Sequence, residues 1–271
     1  MAHVGLLTVD VTALGIVMTS DSRPIEIISG DIRVPPFVGE QRRNKILERH
    51  GGGFDGLIGC VGTEQIGGLS TRAFIERVSA ACPDLGLGEF AHQLAYELSR
   101  SWIECKLSTG LWVFIAGAES GELRFWFLRN LDFDGGLYVN LRSAFTAVNE
   151  LDEHAVPRAM RENNLTSKDE VLSRIALFFR NGALIPAASI LNDFDALIRR
   201  LYAGAYAGFD PISSLDEYAR LVRMRQEFVK RMFDSSKGIY RAGRSPIGGT
   251  IYIRSVSPQG VIVEHGKNVK S

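Results

Sequence analysis

Two apolar runs that follow each other almost without a break constrain this chain more than anything else in it. Val4 to Val11 and Leu14 to Thr19 are separated only by Thr12-Ala13. Runs of this kind read as adjacent strands, buried on one side or both, and joined by a short turn. Such a ribbon must be covered by other elements, so a layered domain is expected.

The rest of the chain supplies the layers. Asp21 to Gly39 is rich in Pro, Gly and Asp, with a short strand around Ile25 to Ile28 and a breaker at Pro35-Pro36. Phe54 to Val61 reads as a strand after the Gly51-Gly52-Gly53 turn. Two helices are predicted next. Thr63 is placed as the cap of the first, in which Ile66, Leu69, Phe74, Ile75 and Val78 fall near helical spacing. The second runs from Gly88-Glu89 to about Glu104, with Phe90, Leu94, Leu98 and Trp102 recurring at every fourth position. Leu111 to Ala118 and Leu123 to Leu128 form a strand pair across Glu119-Ser120-Gly121, and Leu137 to Val148 adds one or two strands. Helices are expected over Thr166 to Phe179, Asp193 to Ala205 and Leu215 to Phe233. In the last of these Leu215, Tyr218, Leu221, Val222, Val229 and Met232 make one stripe. Arg220, Arg223, Arg225, Lys230 and Arg231 are read as its solvated face. Thr250 to Val256 and Val261 to Glu264 close the chain across Ser257-Pro258-Gln259-Gly260. The order of strands, two helices, strands, helices, strands predicts an α+β fold, two antiparallel sheets between helical layers, within a single domain spanning 1–271.

Composition excludes several function classes. Lys plus Arg and Asp plus Glu number 31 each, a neutral balance without the basic footprint of a general nucleic-acid binder. No apolar run approaches the ~20 residues that span a bilayer, and no basic segment with an apolar core opens the chain, so neither a membrane nor a secretory signal is expected. Cys60, Cys82 and Cys105 lack CxxC spacing and read as free thiols of a reducing cytoplasm. His3, His50, His92, His154 and His265 are scattered without metal-ligand spacing, so no metal and no cofactor is assigned. Gly51-Gly52-Gly53 is not followed by the Lys and Ser/Thr of a phosphate loop. Asp152-Glu153-His154 could transfer protons but reads as a solvated loop.

Four segments in order carry a resemblance. Gly15 to Arg23 ends in Asp21-Ser22-Arg23, Lys45-Ile46-Leu47 follows, Gly59-Cys60-Val61-Gly62 opens the first helical region, and Ile247-Gly248-Gly249 precedes the last strand pair. Together they resemble the proteasome-type N-terminal-nucleophile hydrolases, the β-type subunits and their bacterial relatives. The resemblance implies a four-layer αββα sandwich, assembly with copies or partner subunits, and a peptide or protein substrate. It assigns Asp21 and Lys45 the roles of the family's aspartate and lysine, and Gly62 that of the amide donor to the oxyanion. In that chemistry a terminal threonine hydroxyl attacks, its proton drawn off by the chain's own α-amine. The bland reading of Asp21 and Lys45 is an ion pair fixing strand ends, and that of Gly62 a turn that excludes Cβ.

The nucleophile itself is missing from the pattern. Counting back from Asp21 places the threonine position near Gly5, or near Ala2 if the turn is longer, and neither residue can attack a carbonyl. Thr8 would become terminal only after cleavage behind Leu7. The family's loop serine falls at Asn149-Glu150, and its closing acid and serine read Arg244-Ser245-Pro246-Ile247-Gly248-Gly249. Three departures point to a lapsed active site on a retained scaffold, a subunit that works by assembly. The alternatives are a threonine-type peptidase freed at Thr8, or a binding module that reuses the cleft. The stretch from about Phe179 to Gly243 is more helical than the family's counterpart and implies an added surface or lid.

Overall fold

The computed structural model describes residues 2–3, 6–21, 26–28, 31–33, 44–108, 110–134, 137–182, 188–204, 208, 210–235 and 249–266. Along the chain come β1 (Ala2–His3), β2 (Leu6–Thr12), β3 (Gly15–Asp21), β4 (Glu26–Ile28), β5 (Asp31–Arg33), β6 (Ile46–Arg49) and β7 (Asp55–Thr63). A small hairpin of β8 (Gln65–Ile66) and β9 (Leu69–Ser70) leads into α1 (Thr71–Ala81) and α2 (Leu87–Glu104). Then follow β10 (Leu111–Glu119), β11 (Glu122–Asp134), β12 (Leu137–Val148), a π-helical turn (Glu150–Ala155), α3 (Val156–Asn163) and α4 (Lys168–Arg174). The chain ends with β13 (Leu177–Gly182), α5 (Ala188–Tyr202), α6 (Leu215–Ser235), β14 (Ile251–Val256) and β15 (Ile262–Glu264).

Two antiparallel sheets organise these elements. One runs β12-β11-β10-β7-β1-β4-β5, with β6 pairing the same edge of β7 further along. The other runs β13-β2-β3-β14-β15, so the opening ribbon lies at its centre. Alternation along β2 explains its complete burial. Leu7, Val9 and Val11 pack with Met18, Leu57 and Phe114 in one core, while Thr8 and Asp10 face α6. A second core joins α1 and α2 to the other sheet through Phe74, Phe90, Leu94, Trp102, Val113 and Ile115. A third joins α5 and α6 to the ribbon's sheet through Val17, Ile198, Tyr202, Tyr218, Val222 and Ile253. The molecule is thus a mixed α+β structure of two antiparallel sheets and helices. No helix among the described residues is long and apolar enough to cross a membrane.

Several sequence expectations need correction. Thr63 ends β7 rather than capping a helix; Ser70 is the cap of α1, its hydroxyl accepting from the Ala73 amide at 3.1 Å. The cause is Gly67-Gly68, both with positive φ (57° and 80°), which turns Ile66 back on Leu69 as a hairpin. The helix expected over Thr166 to Phe179 stops at Arg174, and Leu177 to Gly182 is a strand. Phe178 faces α5 and α6 while Phe179 faces the inter-sheet core, a period of two rather than 3.6. α3 has no counterpart in the sequence reading. Leu137 to Val148 is one strand, irregular in its pairing with β11. On α6 the stripe is rotated from expectation: Met232 is 45% exposed and Arg225 is wholly buried. Asp152 lies in the π-helical turn, bonded to Lys168 at 2.6 Å and Arg124 at 2.7 Å, not in a solvated loop. Burial alone would raise its pKa, but hydrogen bonds from Lys168, Arg124 and Asn149 outweigh that and hold it below the usual range. The breaker at Pro35-Pro36 lies outside the described residues.

Candidate functional site

The site forms where the two sheets meet at the open end of the ribbon. Asp21 is the last residue of β3 and Leu6 the first of β2, and the ladder sets them side by side. Lys45 immediately precedes β6, where its carbonyl accepts the Cys60 amide at 3.1 Å and so ties it to β7. From there Lys45 Nζ donates to Asp21 Oδ1 at 2.9 Å. The same carboxylate oxygen accepts the backbone N–H of Leu6 at 2.9 Å. The Asp21 side chain is 3% exposed and that of Lys45 13%, so this pair is far drier than a surface ion pair.

Gly62 lies three residues from Gly59, which faces Ile46 of β6, on the strand that anchors Lys45. Its φ is +129°, and a Cβ there would stand 2.3 Å from the Gly110 carbonyl oxygen. Only glycine fits without moving β10. Beside it opens a cleft of about 490 Å³ lined by Lys45, Cys60, Gly62, Thr63, Thr71 and Arg72 among others. Thr71 donates its hydroxyl to the Thr63 carbonyl, and Arg72 reaches Glu76 at 2.9 Å and the Asn44 carbonyl at 3.3 Å. Burial pushes the Cys60 thiol up to about 11, with Lys45 and Arg72 pulling weakly the other way. Cys60 is therefore a protonated thiol at neutral pH and a poor nucleophile.

Thr8 belongs to a different environment. Its hydroxyl meets Thr19 Oγ1 at 2.7 Å, Gln226 Nε2 at 3.1 Å and Arg225 Nη2 at 3.2 Å. Arg225 also grips Asp10 with two nitrogens, at 2.9 Å each, and Asp195 at 3.1 Å. Arg180 pairs with the far side of Asp195. Burial holds the Asp195 carboxyl above its usual range against the pull of Arg180 and Arg225. Tyr218, whose hydroxyl lies 3.4 Å from Asp10, is raised well above the ordinary phenol value, chiefly by burial and then by that carboxylate. Cleavage behind Leu7 would also detach Leu6 and Leu7, 1% and 0% exposed, from between β13 and β3.

So Asp21, Lys45 and Gly62 are gathered at one end of the sheets, and Thr8 is enclosed beneath α6. Gly5 and residues 241–248, which include Ser245, lie outside the described residues. Asn149 caps the π-helical turn, its side chain accepting from the Asp152 amide at 3.2 Å.

The sequence reading missed two constellations. One is the network around Arg225, hidden because a helix stripe treats every arginine as a surface residue. The other joins Ser255 Oγ to His265 Nε2 at 2.7 Å and His265 Nδ1 to Asp216 at 3.3 Å. Its residues come from β14, the segment after β15, and α6, with no spacing in the sequence to reveal them. The order is that of a serine–histidine–acid relay, but Ser255 is fully buried. Its evident work is to tie the end of the chain's last strand to α6, assisted by Arg223, which donates to the carbonyls of His265 and Gly266. Burial lowers the His265 pKa, more than Asp216 raises it.

No protein-family model and no curated protein matches this chain. A solved structure does: Anbu, as a Gly-1 mutant, from Hyphomicrobium sp. strain MC1. It aligns with a TM-score of 0.53 at 12% identity, covering 98% of this chain and 88% of that chain. The fold is proteasome-like. At 12% identity the likeness speaks of architecture and not of chemistry. Among the described residues no three of His, Cys, Asp and Glu cluster as metal ligands.

Proposed function

We propose that this chain is a proteasome-like subunit without peptidase activity, which acts by assembling with copies of itself or with partner subunits. Its layers are read as α1 and α2, the two sheets, then α5 and α6, a four-layer αββα sandwich with an enlarged final helical layer. The observation that carries the reading is the atom beside the Asp21–Lys45 pair. The Asp21 carboxylate there accepts a peptide N–H from Leu6, an aliphatic residue inside a continuous strand, rather than serving a terminal amine and hydroxyl. Thr8 supports the same conclusion, since freeing it would unseat two buried leucines, each stabilising by about 1.5–3 kcal/mol. The retained ion pair then closes the strand ends.

Two measurements test this. Intact-mass analysis with an epoxyketone probe, which requires a terminal threonine amine, should give an unprocessed mass and no adduct. A mature chain beginning at Thr8 that carries the adduct would replace the reading with a threonine peptidase. Native mass spectrometry should give a multi-subunit species, and a strictly monomeric particle at micromolar concentration would refute assembly.

A further inference from the structure

The sheet that carries Gly62 has an unusual member. β1 is only two residues long, yet it lies inside the sheet, between β7 and β4. Ala2 faces Thr63, His3 faces Gly62, and on its other edge His3 faces Glu26. β4 pairs in turn with β5, so among the described residues the β4–β5 hairpin joins this sheet through β1. β6 occupies the same edge of β7 from Gly56 to Gly59. Residues 2–3 therefore prolong the line of β6 past Lys45, along the mouth of the cleft.

Without residues 2–3, β7 at Gly62–Thr63 and β4 at Glu26 become two facing open edges. They stand one strand apart, about 9–10 Å from two spacings of about 4.8 Å. Such a gap offers main-chain donors and acceptors on both sides to any extended backbone, largely without regard to its sequence. Two residues hold it closed, against seven each in β2 and β3. Fewer ladder bonds make β1 the easier strand to release.

We propose that the gap between β7 and β4 is a binding slot for an extended peptide backbone supplied in trans, which the chain keeps filled with its own residues 2–3. The ligand is an unbranched peptide in strand conformation, bound by main-chain hydrogen bonds. The inference rests on strand order and register, not on the assembly reading, and either can fail without the other.

The test uses a fluorescein-labelled hexapeptide with the sequence of residues 1–6, titrated by anisotropy. A chain lacking residues 1–5 should bind it saturably, and the full chain at least about tenfold more weakly, as expected when the cis strand competes. A hexapeptide with the His3→Pro change should lose about tenfold or more, because proline removes one main-chain donor. Equal binding to both chains, no binding by the folded truncated chain, or indifference to the proline would each overturn the proposal. Should the truncated chain fail to fold, hydrogen–deuterium exchange on the unmodified protein decides. Residues 2–3 should exchange about tenfold or more faster than β2, and equal protection would refute a releasable strand.

Discussion

Substituting Arg225 by methionine gives the sharpest test of how the helical layer is held. The guanidinium is 0% exposed and makes four polar contacts of 2.9–3.2 Å: two to Asp10, one to Asp195 and one to Thr8. Burial by itself would lower its pKa, but Asp10 and Asp195 outweigh that, and the group stays charged. Arg225→Met keeps most of the aliphatic stem and strands Asp10, which is also 0% exposed and has Tyr218 at 3.4 Å as its remaining printed partner. Asp195 keeps Arg180. Breaking one side of a fully buried pair costs about 3–5 kcal/mol, mostly through the charge left behind. In a protein of this size that is a loss of roughly 6–20 °C in Tm. Urea unfolding followed by tryptophan fluorescence, with calorimetry alongside, measures it. The control is Arg225→Met combined with Asp10→Val, which removes both charges and should recover half or more of the loss. A single substitution costing under about 1 kcal/mol would mean that the pair is wet in solution, and a double variant worse than the single would refute the stranded-charge argument.

Three further outcomes follow from the site. Asp21→Ala should cost about 1–3 kcal/mol in urea unfolding, and Asp21→Asn less, because the amide oxygen can still accept from Leu6. Gly62→Ala should lower stability by about 1–3 kcal/mol, since its methyl meets the Gly110 carbonyl at 2.3 Å with φ at +129°; a neutral result would show that β10 yields freely. For His265 the sign is set by a folded pKa held below the unfolded value of about 6.5 by burial. Its contribution is intact above that value and is lost as pH falls below it, so unfolding free energy should drop between pH 7.5 and 5.5. His265→Gln should flatten that drop, and an unchanged slope would show that His265 does not titrate across the range.

How much could be read from the chain depends on how local the deciding interaction is. The ribbon was legible because Leu7, Val9 and Val11 and then Ile16 and Met18 announce a buried strand pair by composition. α2 was legible because Phe90, Leu94, Leu98 and Trp102 repeat along one face. β13 was not: Val171, Leu172, Ile175, Phe178 and Phe179 satisfy a helical template, and only the open edge of β2 converts Leu177 to Gly182 into a strand. α1 began late because Gly67 and Gly68 form a tight hairpin turn, a signal that was present but overlooked.

The sequence by itself determined the pattern of apolar residues, hence the kinds and order of most elements, together with the absence of a threonine near the start of the ribbon. These are properties of neighbouring residues, set by side-chain size, periodicity and backbone preference over a few bonds. Tertiary structure alone decided that Asp21 and Lys45 touch, that Thr8 lies beneath α6, that Arg225 is a core residue, and that residues 2–3 sit against Gly62. Each depends on groups 17 to more than 200 residues apart being brought within hydrogen-bonding distance, and on the water between them being removed. Charge pairing and burial are functions of distance in space, and the linear order of residues does not carry them.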